Sequence, residues 1–399
     1  MKIRFFNTYE PVSPFYRDVL PALIEKGVEV EVVISKAEYR KGRDLIGFFE
    51  DTPGIRFVQT VNFGKQAYEG TWAKLLVIML YTIHAGLYAL FGPGADKNVF
   101  LTQPPFFAAF GVLLKRLRGQ PYYYITMDIQ PEMSVALGLA SENSLATRLS
   151  GWISKLALRH ADSVIVIGRC MKEVVQHFGV DDCRIHVIPN WADEREIYPI
   201  PHTENRLRQD QRWGNKFIVL YAGNIGIPQY FDDLLAVAAA LNRRDDILFV
   251  FIGEGARKKE LERRVIQERL NNVQLLPFLH EQYSLAEILS SGDVHFVSLR
   301  EACTGLAVPS KAYAALASGR PILFQGGENS EIAQILRETD SGFFIVPGDV
   351  TALQRIIEKL DKDRELCDRL GKNARDVILT KYNKKTAVDK YVALLLRNS

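Results

Sequence analysis

Cysteine is scarce, with only Cys170, Cys183, Cys303 and Cys367 among 399 residues. They lie far apart without metal-ligand spacing, which excludes a disulfide-stapled fold or a zinc finger and points to reduced thiols. An excess of one charge is also missing. Fifty Lys and Arg against 47 Asp and Glu leave a net charge of +3, too mild for the concentrated basic face that nucleic acid requires. A hydrophobic content of 47% with 24% charged residues leaves no room for a long disordered tail. Met1-Lys2-Ile3-Arg4 leads into a strand pattern without the apolar region of a signal peptide, so a cytoplasmic chain is expected. The longest apolar run, 75–91, is interrupted only by Thr82 and His84 and contains Gly86. At about 17 residues it reaches only the lower edge of a bilayer span, and a helix covering a sheet is the expectation. His84 on that background reads as a satisfied core histidine.

The length suits two domains. Strand patterns at 3–6 and 28–34 flank a helical pattern at 17–26 closed by Gly27, and further strands are expected at 122–127, 161–168 and 184–189. A polar, proline-bearing stretch follows, then strands at 217–221, 247–252, 273–278 and 294–299 alternating with helices. That alternation predicts an α/β fold with two doubly wound parallel sheets.

The chain is organised around 297–324. An apolar strand ends on Arg300 and Glu301, a small-residue loop with Gly305 follows, and Pro309-Ser310 opens a helix that Gly319 closes. In open α/β sheets ligands bind at such strand ends, where a helix start offers N–H groups to an anion. Lys311 in the first turn opposes the helix dipole, and a bound phosphate reverses that sign; an ordinary surface lysine is the alternative. Gly223 and Asn224, after the 217–221 strand, let backbone approach a phosphate. Asp128 and Glu132, leaving the 122–127 strand, suit catalysis or an acceptor hydroxyl, or else cap the next helix. The 105–118 helix ends Lys115-Arg116-Leu117-Arg118, which fits anionic headgroups or a core helix with cations at its C-terminus. Ser330 is expected as an N-cap with Glu331 in the first turn, and Asp361-Lys362-Asp363 as a solvated face.

Glu301, Gly305, Val308-Pro309-Ser310-Lys311 and Ala317-Ser318-Gly319-Arg320-Pro321 resemble the donor-sugar signature of the retaining family 4 glycosyltransferases, in the branch that builds bacterial surface polysaccharides such as O-antigen, capsule and exopolysaccharide. The Asp-x-x-Pro-Glu pattern at 128–132 and the 187–193 run are similar to that branch's acceptor loop and interdomain elbow. The resemblance implies a GT-B fold of two Rossmann-like domains facing a central cleft: an acceptor domain at 1–195, a linker at 196–215, a nucleotide-sugar domain at 216–380, and a helix at 381–399 crossing back. It implies a metal-independent, hexosyltransferase-type enzyme without cofactor or nucleic acid. Its donor would be a nucleoside-diphosphate sugar, UDP-linked, and its acceptor a glycan or lipid-linked glycan.

By the same resemblance, Glu301 holds sugar hydroxyls, Lys311 balances the diphosphate and Asp128 orients the acceptor. Gly223, Asn224, Arg300, Gly305, Pro309 and Ser310 line the donor, 279–282 faces the base, and Glu132 and Ser13 lie on the acceptor side. Peripheral contact with the inner face of the membrane would run through 75–118. Departures are Met127 where many members have histidine, Ala314 where the second glutamate falls, Pro11, Ser13 and Pro14 in a loop that elsewhere bears glycine, and Ile227-Pro228-Gln229 where a cation is common. The competing readings are a GT-B sugar-nucleotide epimerase and a non-catalytic nucleotide-sugar-binding subunit.

Overall fold

The computed structural model describes residues 1–7, 13–35, 45–49, 52–60, 71–102 and 107–397. The chain divides into two units, Met1–Ile188 with Val388–Ser399, and Pro189–Ala387.

The first unit is built on a parallel sheet of seven strands: β1 (Lys2–Asn7), β2 (Glu29–Ser35), β3 (Ile55–Thr60), β4 (Lys97–Leu101), β5 (Tyr122–Thr126), β6 (Ser163–Val166) and β7 (Ile185–Val187). Their spatial order is β3-β2-β1-β4-β5-β6-β7. Helices cover a parallel sheet on both faces, so its strands read as unbroken apolar runs, as the fully buried Tyr122–Thr126 does. One ionic pair is set into this interior. Arg4 and Glu31 are register partners on β1 and β2, and their fully buried side chains meet at 2.5 Å.

The helix Thr71–Phe91 follows β3 and lies on the sheet, where Tyr81 is buried with its hydroxyl 3.3 Å from the Val33 carbonyl of β2. Among the described residues no helix is long and apolar enough to cross a membrane. The helix expected from Pro105 is described as Ala109–Arg118, because 103–106 lie outside the described residues. The 8–12 part of the loop after β1 lies outside them as well.

The second unit carries a parallel sheet of six strands: β8 (Phe217–Ala222), β9 (Ile247–Ile252), β10 (Val273–Leu276), β11 (Val294–Ser298), β12 (Ile322–Gln325) and β13 (Gly342–Ile345). The order is β10-β9-β8-β11-β12-β13. Tyr221, Phe231 and Phe251 pack in its core, the first two edge-on at 4.8 Å between ring centres. The stretch expected as a linker is packed on this unit: Leu207, Arg208 and Trp213 are buried, and Arg208 bonds the Ser291 carbonyl at 2.8 Å and Asp293 at 3.1 Å. In both sheets the strand order reverses once, between β1 and β4 and between β8 and β11. Crevices at such reversals, outside the carboxyl ends of the strands, are where open α/β sheets bind ligands.

Candidate functional site

The second unit gathers most of the flagged residues at its reversal. β8 passes into Gly223 and Asn224, while β11 passes into Arg300, the short turn Glu301–Cys303, and the helix Lys311–Ala317. Gly305 sits between turn and helix at φ +75°, a left-handed value at which a side chain is strained. Pro309 and Ser310 lead into the helix, and the Ser310 hydroxyl makes no capping bond.

Lys311 folds back over β8. Its Nζ donates to the Tyr221 hydroxyl, stands 3.9 Å from the centre of the Tyr221 ring, and lies 3.4 Å from the Asn224 carbonyl. Burial, with no acidic neighbour among the described residues to offset it, lowers the ammonium from 10.5 to about 7. Desolvation disfavours the charged form of a lysine, and an anion brought alongside restores it. The residue is therefore an amine that gives up its proton readily when free and that an anion beside it would return to the charged form.

A Cβ on Gly223 would stand 3.6 Å from Lys311 Nζ, so the lysine lies across the glycine. The expectation that the Gly223 amide faces a phosphate is corrected, because its N–H donates to the Ile252 carbonyl at 2.9 Å and prolongs the sheet ladder. What the glycine contributes is the missing side chain. Gly253 and Gly255 seat the neighbouring loop against this one: added Cβ atoms there would fall 2.0 Å from the Gly223 oxygen and 2.2 Å from the Ile225 oxygen.

Arg300 fastens the turn that stands where the family commonly has a cation. Its N–H reaches the Pro228 carbonyl at 2.8 Å and its Nε the Ile227 carbonyl at 3.0 Å. Glu301 is exposed at the start of its turn, and its carbonyl accepts from the Thr304 hydroxyl at 2.7 Å. Beside Lys311 lies a cavity of about 150 Å³ walled by Gly223, Phe278, Leu279, His280, Leu285 and Ala314 among others. No Asp or Glu lines it, so Ala314 leaves the cavity without a carboxylate.

Comparison with known proteins decides the family. The description "Glycosyl transferases group 1" matches residues 202–377, and "Glycosyl transferase 4-like domain" matches 12–191. The chain is 30% identical over 288 residues to the probable glycosyltransferase WbjE of Pseudomonas aeruginosa, covering 70% of this chain and 69% of that one. The chain belongs to glycosyltransferase family 4. It is also 28% identical to the putative colanic acid biosynthesis glycosyl transferase WcaI of Escherichia coli, over 63% of this chain and 62% of that one. Its fold is GT-B, like that of Anabaena Alr3699/HepE in complex with UDP, with a TM-score of 0.70, 16% identity and 99% of each chain covered.

In the first unit of this glycosyltransferase, Asp128 follows β5 half-buried. Burial raises its carboxyl above the usual range, and Gln130 donates to it at 3.3 Å. It caps no helix: the helix Glu132–Ala136 has Pro131 at its N-cap and no side-chain capping bond. Glu132 stands 3.5 Å from Lys155, and its other carboxylate oxygen is buried without a partner among the described residues. Ser13 precedes the helix Pro14–Glu25 and its side chain caps nothing.

Ser330 caps the helix Glu331–Thr339 by accepting from the Ala333 N–H, with Glu331 buried in the first turn. Asp361 is bonded to Arg244 and Arg364, and Asp363 caps the helix Arg364–Thr380. Two of the three residues at 361–363 are thus structural rather than simply solvated. Sequence reading missed Tyr221 and Gly253. The signals for them were a lone hydroxyl near the end of an apolar strand just before Gly223, and a second glycine-bearing strand exit after the 247–252 strand.

Proposed function

We propose that this glycosyltransferase moves a sugar from a nucleoside-diphosphate donor, UDP-linked, to a glycan or lipid-linked acceptor with retention of configuration, in surface-polysaccharide synthesis. The observation that carries the reading is Lys311, a desolvated amine without a carboxylate partner among the described residues, set across Gly223 at the strand reversal. As the anomeric carbon–oxygen bond breaks, the leaving diphosphate gains charge, and a preorganised cation aimed at it is the largest single catalytic contribution available. Glu301 would orient the donor sugar through its hydroxyls. The apolar cavity beside Lys311 would take the nucleoside, and Asp128 would orient or partly deprotonate the acceptor hydroxyl.

The UDP in the HepE structure and the colanic acid role named for WcaI support the choice of donor and pathway class. Charge compensation by Lys311 makes a metal unnecessary in this scheme, so hexosyl transfer is expected to persist with a chelator present.

Turnover tests the proposal. UDP released from a UDP-sugar only when a glycan acceptor is present supports transfer. Release without acceptor would indicate an epimerase or hydrolase, and binding without release a non-catalytic subunit.

A further inference from the structure

A second cavity lies within the second unit, at the end of its sheet opposite Lys311. It measures about 570 Å³, and its wall includes residues that stand just before three neighbouring strands: Gly214 and Asn215 before β8, Asp293 before β11 and Arg320 before β12. Gly223 and Arg300 follow the carboxyl ends of β8 and β11. The six residues of β8 alone span about 17 Å between the two places.

Three guanidiniums line this cavity, those of Arg208, Arg320 and Arg364, against the carboxylates of Asp293 and the exposed Asp368. Asp293 is buried and already engaged. Its Oδ2 accepts from Arg208 at 3.1 Å and from the Ile218 N–H at 2.8 Å, and its Oδ1 accepts from Arg364. Burial and the neighbouring Arg320 lower His202, also in the wall, to about 4, so at neutral pH its ring adds no charge. Among the lining residues one positive charge is left over, and it falls on Arg320. Its Nη2 donates to two neutral carbonyls, Ile200 at 3.0 Å and Ser290 at 3.2 Å, and its Nε is buried with no partner among the described residues. Burial holds its guanidinium below the ordinary 12.5, and Asp293 and Asp368 offset this only from a distance. Arg208, 3% exposed, engages both Nη atoms with carbonyls and Asp293, yet its Nε is also buried without a partner, as is the His202 Nε2. Buried polar atoms are ordinarily bonded and buried charges paired, so three unmet atoms around one cavity call for a ligand.

We propose that this cavity binds a small oxyanion, a phosphate or carboxylate group, through Arg320 together with Arg208 and Arg364. The planar guanidinium fork matches the geometry of both groups. A volume of about 570 Å³ has room for the rest of a small metabolite around that group. The anion site shares no residue with the cavity beside Lys311, so the two can fail separately.

Calorimetric titration of the full chain with inorganic phosphate, and separately with malonate, in chloride buffer of matched ionic strength tests it. Saturable binding of at least one anion is expected; phosphate alone marks a phosphorylated ligand and malonate alone a carboxylate. The Lys311→Ala chain should bind that anion as the parent does. Arg320→Met keeps the apolar stem and should weaken binding at least about tenfold, the scale of losing a hydrogen bond to a charged group. Asp368→Asn should tighten it by about two- to fivefold by removing an exposed opposing charge, a gain that misfolding cannot imitate. No saturable binding of either anion, binding that Lys311→Ala abolishes, or an affinity that neither Arg320→Met nor Asp368→Asn changes would overturn the anion site.

Discussion

Lys311 and Tyr221 meet tip to tip, the ammonium donating to the phenol hydroxyl while standing 3.9 Å from the ring centre. The Tyr221 hydroxyl in turn bonds the Asn224 carbonyl, so among the described residues it is neutral groups that hold the lysine over the Gly223 turn. Neutral oxygens position the amine without supplying a negative charge to pair with its ammonium form. That arrangement leaves the amine free to take up a proton together with an anionic ligand, where a carboxylate partner would already hold it charged and paired.

Replacing the lysine should separate function from folding. Lys311→Ala is expected to lower transfer by at least about tenfold, since losing one group aimed at developing charge commonly costs about 100- to 1000-fold. Without ligand, the parent's stability should rise as pH climbs from about 7 toward 10.5, since the folded chain releases this proton before the unfolded one does. The variant should lack that rise. Equal turnover of variant and parent would remove the lysine from the site.

The two stacked glycine loops give a second expectation. Gly253 holds φ +153°, and a Cβ there would fall 2.0 Å from the Gly223 oxygen. Gly253→Ala should therefore displace the Gly223 turn, lowering the melting temperature and raising KM for the donor together. Strain at a position that admits only glycine costs on the order of 1–3 kcal/mol. Unchanged donor KM in a folded variant would show that the turn takes no part in binding.

Asp128 supplies a pH expectation for the acceptor side. Burial raises its carboxyl above the ordinary 3.8, so the acid limb of kcat should lie above that of a free aspartate. Activity should appear as pH rises through the shifted value and the carboxylate forms. Asp128→Asn should remove that limb and leave donor binding intact. A profile with the same acid limb in both proteins would assign the limb elsewhere.

The buried pair on β1 and β2 governs stability. Burial pushes the Glu31 carboxyl up, but bonds from Lys2 and Arg4 outweigh it and hold the group below its ordinary 4.5. A carboxylate with a depressed value stabilises above the unfolded-state value and loses that contribution as pH falls through the folded one, so this unit should weaken below about pH 4.5. Glu31→Gln strands the fully buried Arg4 and should cost about 3–5 kcal/mol in denaturant unfolding.

Much of the fold was legible because buried parallel strands are continuous apolar words. The expected strand at 247–252 coincides with β9 and that at 217–221 with β8 to within a residue. β4 went unread since it opens on Lys97 and Asn98, polar yet buried, with the Lys97 amine bonded to the Arg397 carbonyl 300 positions away. Local pattern cannot carry such a partner. The site divided in the same way. Lys311 stood out as a cation in a helix's first turn, whereas Tyr221 looked like packing. The Gly223 amide looked free because its acceptor, Ile252, belongs to a neighbouring strand.

Calorimetric titration of UDP at pH 8.5, in buffers of differing ionisation heat, tests the Lys311 site most directly. Since the free lysine ionises near 7, binding should draw in about one proton per UDP as the diphosphate restores the ammonium. Lys311→Ala should bind more weakly and take up none. UDP that binds the parent with no proton uptake, or binds both proteins alike, would contradict a diphosphate resting on Lys311.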